Sequence, residues 1–127
     1  METNEIILSR GVYQLVMTHL RKEKELSDFN KNKLLQEMKS AKILPSKKIP
    51  DNVVSINTNV KIKDIETEEE FVFNLVSPTE ARSKNNKLSV LSPIGLALLG
   101  YNSGELVDWE MADGLKKYLI EKVSAME

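Results

Sequence analysis

The run Leu88-Ser-Val-Leu-Ser-Pro-Ile-Gly-Leu-Ala-Leu-Leu-Gly100 constrains the fold more than any other stretch of the chain. Leu88 and Val90 alternate as a strand does, and the pattern then stops at a serine-proline pair. Ser92 is placed to cap a helix, because its hydroxyl can accept a first-turn N–H that has no partner inside the helix. Pro93 suits the first helical position, where a missing N–H is harmless and φ is already helical. Gly100 suits the stop, since helices commonly end on a residue with positive φ. Between these signals Ile94, Leu96, Ala97, Leu98 and Leu99 leave almost no polar surface. A helix of one or two turns that is apolar all round has to be buried, so the spacing predicts a core element plugged into a sheet.

The period around that helix is two. Val60 and Ile62, then Phe71, Phe73 and Leu75, then Val107, Trp109 and Met111, then Tyr118 and Ile120 alternate with polar or opposite-face residues. Glu66-Thr-Glu-Glu-Glu70 and Asn85-Asn86 supply turns, and Asp113-Gly114 is a two-residue hairpin signal. The pattern predicts an antiparallel sheet of about five strands with the short helix across one face.

Upstream the period is helical. Leu8, Val12, Leu15 or Val16, and His19 or Leu20 share one face of a first helix, while Leu34 or Leu35, Met38 and Ala41 share one face of a second. Ser27 followed by Asp28 is a cap and first-turn acid, which starts the second helix at residue 28 and carries it to about 42. Lys22-Glu-Lys-Glu-Leu26 is long enough only to turn the chain back, giving an antiparallel helical hairpin. Leu44-Pro-Ser-Lys-Lys-Ile-Pro50 closes this region, because neither proline tolerates a helix interior. The chain therefore divides into a hairpin arm at 1–45, a short stiff linker at 46–50 and a sheet domain at 51–127.

Composition narrows the function classes. The chain has 127 residues, 41% of them hydrophobic, which suits one domain with an appendage. It contains no run of 18 apolar residues and no charged-then-apolar leader, so the expected location is cytoplasmic and no membrane partner is expected. Without cysteine, disulfides, thiolate metal sites and thiol catalysis are excluded together. A net charge of -1, divided as +2 over residues 1–45 and -3 over 46–127, argues against holding nucleic acid on a broad basic face.

The residue types that carry chemistry are sparse. His19 has no second His or Cys at ligand spacing, so it makes no zinc site. Ser92 precedes a helix as some nucleophiles do, but the glycine-flanked strained elbow and a general base are both missing. No glycine-rich phosphate loop is present. Glu66, Glu68, Glu69 and Glu70 lack the regular ligand spacing of a calcium loop and are read as a solvated tip. Phe71, Phe73, Tyr101, Trp109 and Tyr118 are spaced as strand packing, not as the walls of a ligand pocket. No catalytic residue, metal ligand or cofactor emerges.

The segment Ser92-Pro-Ile-Gly-Leu-Ala-Leu-Leu-Gly100, followed by Gly104-Glu-Leu-Val-Asp-Trp-Glu110, resembles the C-terminal domain of the GreA/GreB transcript-cleavage factors. The resemblance extends through Asp51-Asn-Val-Val-Ser-Ile-Asn57, Val60-Lys-Ile-Lys-Asp64, Leu75-Val-Ser-Pro78 and Lys87-Leu-Ser-Val90, and so covers roughly Asp51 to Val123. With its short arm the chain is most similar to the branch named for the regulator of nucleoside diphosphate kinase, Rnk. The resemblance implies an α+β protein whose FKBP-like antiparallel sheet domain docks on bacterial RNA polymerase. It also implies a coiled-coil arm that, in Gre factors, delivers acidic tip residues to a catalytic magnesium ion.

Here the tip interleaves Lys22 and Lys24 with Glu23, Glu25 and Asp28, which dilutes any negative field. A first helix of about 20 residues also spans only roughly 30 Å, less than the long Gre arm. The expectation is therefore a monomeric, non-enzymatic regulator that binds the polymerase near its secondary channel, competes with Gre factors and meets nucleic acid only through the transcription complex. Its contacts are expected at the tip, Lys22, Glu23, Lys24, Glu25 and Asp28, and on the sheet domain at Ser92, Pro93, Tyr101, Asn102 and Ser103. Transcript cleavage through the tip acids, and polypeptide binding unrelated to transcription, are the alternatives.

Overall fold

Alternation along Thr58–Asp64 decides which strand is central: Thr58, Val60, Ile62 and Asp64 are all buried while the residues between them are half-exposed. The computed structural model, which describes residues 5–126, places this strand, β3, between two antiparallel neighbours. Numbering in chain order, the strands are β1 (Ile7–Leu8), β2 (Lys42–Ile43), β3, β4 (Glu70–Val76), β5 (Lys87–Ser89), β6 (Leu106–Met111) and β7 (Gly114–Ala125). The main sheet runs β5-β4-β3-β7-β6. A bulge opposite Lys61 and Ile62 gives β7 one extra residue and bends it.

The turns follow local chemistry. After β3, Asp64 accepts the N–H groups of Glu66 at 2.9 Å and Thr67 at 3.3 Å through Oδ1, so the acid-rich segment is a side-chain-stabilised turn. Burial alone would raise the Asp64 pKa, but these two N–H groups and nearby Lys116 more than offset it and hold the carboxyl below its usual range. Between β6 and β7 the loop is Ala112 and Asp113, with Gly114 already paired to Met111, one residue earlier than the Asp113-Gly114 reading.

One expectation about the sheet is corrected, and a further pair of strands is added. The sheet is not wholly antiparallel: β5 lies parallel to β4, with Leu88 opposite Leu75. The chain reaches it through the 310 turns Pro78–Glu80 and Ser83–Asn85, and a return of that kind delivers the strand in the parallel sense. A second sheet, β1 parallel to β2, was invisible because each strand has only two residues, too few to show a period.

The helices are α1 (Arg10–Lys22), α2 (Asp28–Lys39) and α3 (Pro93–Leu98), with α2 ending three residues short of its expected limit. Each is capped by a serine at its start: Ser9, Ser27 and Ser92 accept N–H groups from Val12, Asn30 and Gly95. Leu8 belongs to β1 and not to the first helix. Val12, Val16 and Leu20 of α1 and Leu34 and Met38 of α2 enter the same hydrophobic cluster as Val60, Ile62, Leu96, Leu98, Val107, Trp109 and Ile120. The hairpin thus lies on the sheet domain and shares its core.

The short apolar helix is the hub of that core. Ala97, Leu98 and Gly100 are buried, and Gly100 sits at φ 88°. Its carbonyl accepts the Ile7 N–H at 3.0 Å, while its own N–H donates to Val54 at 2.9 Å. The end of α3 therefore joins β1, at the base of the hairpin, to the sheet domain. A Cβ at Gly100 would fall 2.7 Å from the Ile6 Cβ. Gly100→Val is expected to cost about 3 kcal/mol or more, from strain and overpacking together, whereas Ser92→Ala is expected to cost about 1 kcal/mol from the lost cap. Urea unfolding of the two variants checks this ranking, and an unchanged midpoint for Gly100→Val contradicts the helix-stop geometry.

Candidate docking cleft

The hairpin reverses over residues 23–27, and this turn is built from its own side chains. Glu23 Oε1 accepts the Glu25 N–H at 2.7 Å, and Ser27 Oγ accepts the Asn30 N–H at 3.2 Å. Glu23 Oε2 lies 3.4 Å from His19 Nε2 in the last turn of α1. One of the tip carboxylates is thus committed to shaping the turn.

Asn30 holds the turn against the sheet. Strand β6 is an edge strand, so alternate residues present a backbone N–H and C=O without a neighbouring strand. Asn30 supplies the missing peptide group: its Nδ2 donates to the Glu110 carbonyl at 2.9 Å, and the Glu110 N–H donates to its Oδ1 at 2.8 Å. The Asn30 side chain is only 4% exposed, so the pairing is shielded from competing water.

Seven residues along α2, Glu37 makes a second polar attachment. Lys33 Nζ lies 2.6 Å from Glu37 Oε2 and 2.8 Å from Tyr101 Oη, and Tyr101 Oη donates to the same carboxylate oxygen. The Lys33 ammonium also stands 5.0 Å from the centre of the Tyr101 ring, within cation–π range. Burial, followed by the Glu37 charge, pushes the Tyr101 phenol well above its ordinary value. Tyr101 follows Gly100 directly, so this network ties α2 to the same hub.

Between the turn and the sheet lies an open cleft of about 560 Å³. It is lined by Glu23, Glu25, Leu26, Ser27 and Asn30 from the hairpin, by Leu91, Pro93 and Leu96 around α3, and by Trp109, Glu110, Met111 and Ala112 from the β6 end. The cleft brings together the two regions singled out in the sequence, the arm tip and the capped start of α3. Glu23, Glu25 and Pro93 line it, whereas Lys22, Lys24 and Asp28 are exposed outside its lining.

The other expected contacts lie elsewhere. Ser92 Oγ accepts the Gly95 N–H and donates to the Ser89 carbonyl at 2.6 Å, so its hydroxyl is fully used in capping. Tyr101 is 8% exposed and engaged with Glu37. Asn102 and Ser103 form a turn beside residues 52 and 53. Among the described residues no group of three or more His, Cys, Asp or Glu side chains is arranged to hold a metal ion. Among the same residues no helix is long and apolar enough to cross a membrane.

The residues that sequence reasoning missed are Asn30, Lys33, Glu37 and Glu110. A signal for two of them was present. Positions 30, 34, 37, 38 and 41 fall on one helical face, and Asn30 and Glu37 are polar residues in an otherwise apolar stripe.

A family model described as transcription elongation factor GreA/GreB, C-term, matches residues 49–125. The chain belongs to the GreA/GreB family. Transcription elongation factor GreA of Clostridium botulinum strain Hall is 38% identical over 87 residues, covering 68% of this chain and 54% of that protein. GreA of Clostridium beijerinckii is 37% identical over 87 residues with the same coverage. The chain spans about half the length of these curated relatives. A GreA/GreB elongation factor from Nitrosomonas europaea has a similar structure, with a TM-score of 0.68 and 28% identity over 96% of this chain and 99% of that one. Gfh1 of Thermus aquaticus shares the fold, with a TM-score of 0.54 and 20% identity over 97% of this chain and 100% of that one.

The raised phenol pKa has a signed consequence. A group whose folded-state pKa exceeds its unfolded value contributes stability that is complete below the unfolded pKa, here 10.0, and is lost as pH rises beyond it. Tyr101→Phe is expected to cost about 1–2 kcal/mol at neutral pH, from a buried hydrogen bond to a charged group. Chemical denaturation of both proteins across pH 8 to 11.5 checks this: their difference should shrink above pH 10, and a constant difference contradicts the network.

Proposed function

We propose that this protein is a non-enzymatic transcription regulator that binds bacterial RNA polymerase near its secondary channel and competes there with Gre factors. Family membership supports the partner. The observation that carries the non-enzymatic reading is the position of the arm. Helix α1 has 13 residues, about 20 Å at the helical rise, and its tip faces this chain's own sheet domain across the cleft. A carboxylate completes a magnesium site only when delivered to about 2.1 Å from the ion. A short arm laid along its own domain, with Glu23 occupied in the turn, is poorly suited to that delivery.

The short arm also supports placing the chain in the Rnk branch. It acts as a cytoplasmic monomer, and its sheet domain takes the FKBP-like form without prolyl isomerase activity. Of the aromatics weighed for such a pocket, Phe73, Tyr101, Trp109 and Tyr118 are buried in packing, while Phe71 is exposed. The contact surface on this reading is the cleft, whose lining includes the exposed Pro93.

A stalled-complex transcript-cleavage assay tests the reading. Wild type and the triple variant Glu23→Ala, Glu25→Ala, Asp28→Ala should both leave cleavage at its factor-free level, while wild type competes with an added Gre factor. Robust stimulation by wild type that the triple variant abolishes would make those acids catalytic and overturn the proposal.

A further inference from the structure

We infer that the hairpin carries a second docking site, a groove between α1 and α2 that takes an acidic amphipathic helix. It is separate from the cleft and independent of the polymerase reading. The open space measures about 500 Å³, and Tyr13 and Met17 of α1 face Leu35 of α2 across it, with Met38 at its base. No residue of the sheet domain lines it. Tyr13, Met17 and Leu35 are half-exposed and reach the edge of the shared core, while Met38 is buried in it. The apolar stripe of the hairpin is thus wider than the core it helps to form, and the surplus lies in the groove.

Each helix brackets its half-exposed apolar residues with bases at helical spacing. Arg10 stands three residues before Tyr13 and Arg21 four after Met17, while Lys31 and Lys39 stand four on either side of Leu35, so each set shares one stripe. All four bases are exposed, and none enters an ion pair among the described residues. Helix α1 contains no Asp or Glu. In α2, Glu37 is buried and engaged with Lys33 and Tyr101, which leaves Asp28, at the tip, as the one exposed acid of the two helices. This concentration of positive charge stands in a chain whose net charge is -1.

An apolar strip between two rows of unpaired bases selects its occupant. A second copy of this groove would bring bases against bases. A nucleic-acid backbone would meet the bases but leave Tyr13, Met17 and Leu35 uncovered. A membrane surface takes apolar side chains that protrude, whereas these three sit in a depression. A helix with apolar residues at i, i+3, i+4 and i+7 and acids beside them fits both parts, laying its stripe between α1 and α2 as a third helix does in a bundle. From Arg10 to Arg21 the groove runs about 16 Å at the helical rise, roughly three turns.

The test uses the full chain and a fluorescently labelled synthetic helix that carries leucine at i, i+3, i+4 and i+7 with glutamate on both flanks. It should bind with 1H–15N shift changes centred on Tyr13, Met17 and Leu35, and its affinity should fall as salt rises. Arg10→Glu with Lys39→Glu should weaken binding by about tenfold or more at low salt and flatten the salt dependence. Gln36→Trp, which fills the groove from an exposed position on its wall, should weaken binding at every salt concentration and leave that dependence intact. Arg82→Glu with Lys84→Glu makes the same charge change beside β5, at the opposite edge of the sheet from β6. It should leave affinity within about twofold, because exposed charges separated by more than a Debye length interact little. Melting curves of the variants should overlay that of wild type, since Arg10, Gln36 and Lys39 are exposed.

No binding by wild type, equal binding of a scrambled peptide of the same composition, or undiminished binding to both groove variants overturns the inference. Displacement of the peptide by single-stranded RNA or by phosphatidylserine vesicles would assign the groove to a phosphate backbone or a membrane surface, and that overturns it as well. So does sedimentation of wild type as a dimer that Gln36→Trp dissociates, which would assign the groove to a second copy. None of these measurements involves the polymerase, so their outcome is distinct from that of the transcript-cleavage assay.

Discussion

An edge strand leaves half of its peptide groups facing outward, and a protein has to hydrate them, cover them or pair them. At Glu110 this chain pairs them, using one buried side-chain amide as a substitute for the next strand. Asn30 suits this task because its amide presents a donor and an acceptor in the arrangement of a peptide group, with both partners on a single residue. An aspartate would accept but not donate, and a leucine would do neither. The position of α2 along β6 follows from that match, and with it the position of the turn at residues 23–27.

The second attachment acts through orientation more than through energy. The cost of removing Lys33 and Glu37 from water offsets much of their mutual attraction, so a buried pair of this type adds little net stability. Together with Tyr101, however, the pair permits only one rotation of α2 about its axis, because a turned helix would leave charged atoms buried and unpartnered. Hydrophobic contacts of Leu34 and Met38 tolerate small slides that the polar contacts do not. Apolar packing brings the hairpin onto the sheet, Asn30 sets its position, and the Glu37 network sets its rotation. The cleft is the space these three constraints leave between the turn and the start of α3.

Much of this architecture was legible beforehand because it rests on local signals. The serine, proline and glycine around α3 each act within a few residues of themselves, and all three roles appear as read. The alternation of β3, β6 and β7 was equally visible, since one buried face forces a period of two, whereas β4 is buried only from Phe73 onward and leaves Phe71 exposed. What failed to show depends on contacts distant in sequence. The parallel sense of β5 is set by the turns that deliver it, and β1 and β2 are strands only because each finds the other. The docked state of the hairpin could not be read from an apolar stripe alone, which serves a free coiled coil as well as a packed helix. Asn30 and Glu37 within that stripe were the informative departure: polar residues at core positions need partners, and here those partners are Glu110 and Tyr101, on the sheet domain. On the candidate surface, the expected contacts Glu23, Glu25 and Pro93 line the cleft, whereas Tyr101 lies inside, held by its hydrogen bond to Glu37.

The central claim is that hairpin and sheet domain form one body, held at a fixed distance across the cleft. Backbone 15N relaxation in solution tests it most directly, because an independently moving arm and a docked one tumble differently. The account predicts a single rotational correlation time for residues 10–39 and 58–125, together with slow exchange of the Asn30 side-chain amide protons. Two separate correlation times, with the Asn30 amide exchanging at the rate of an exposed asparagine, would contradict it.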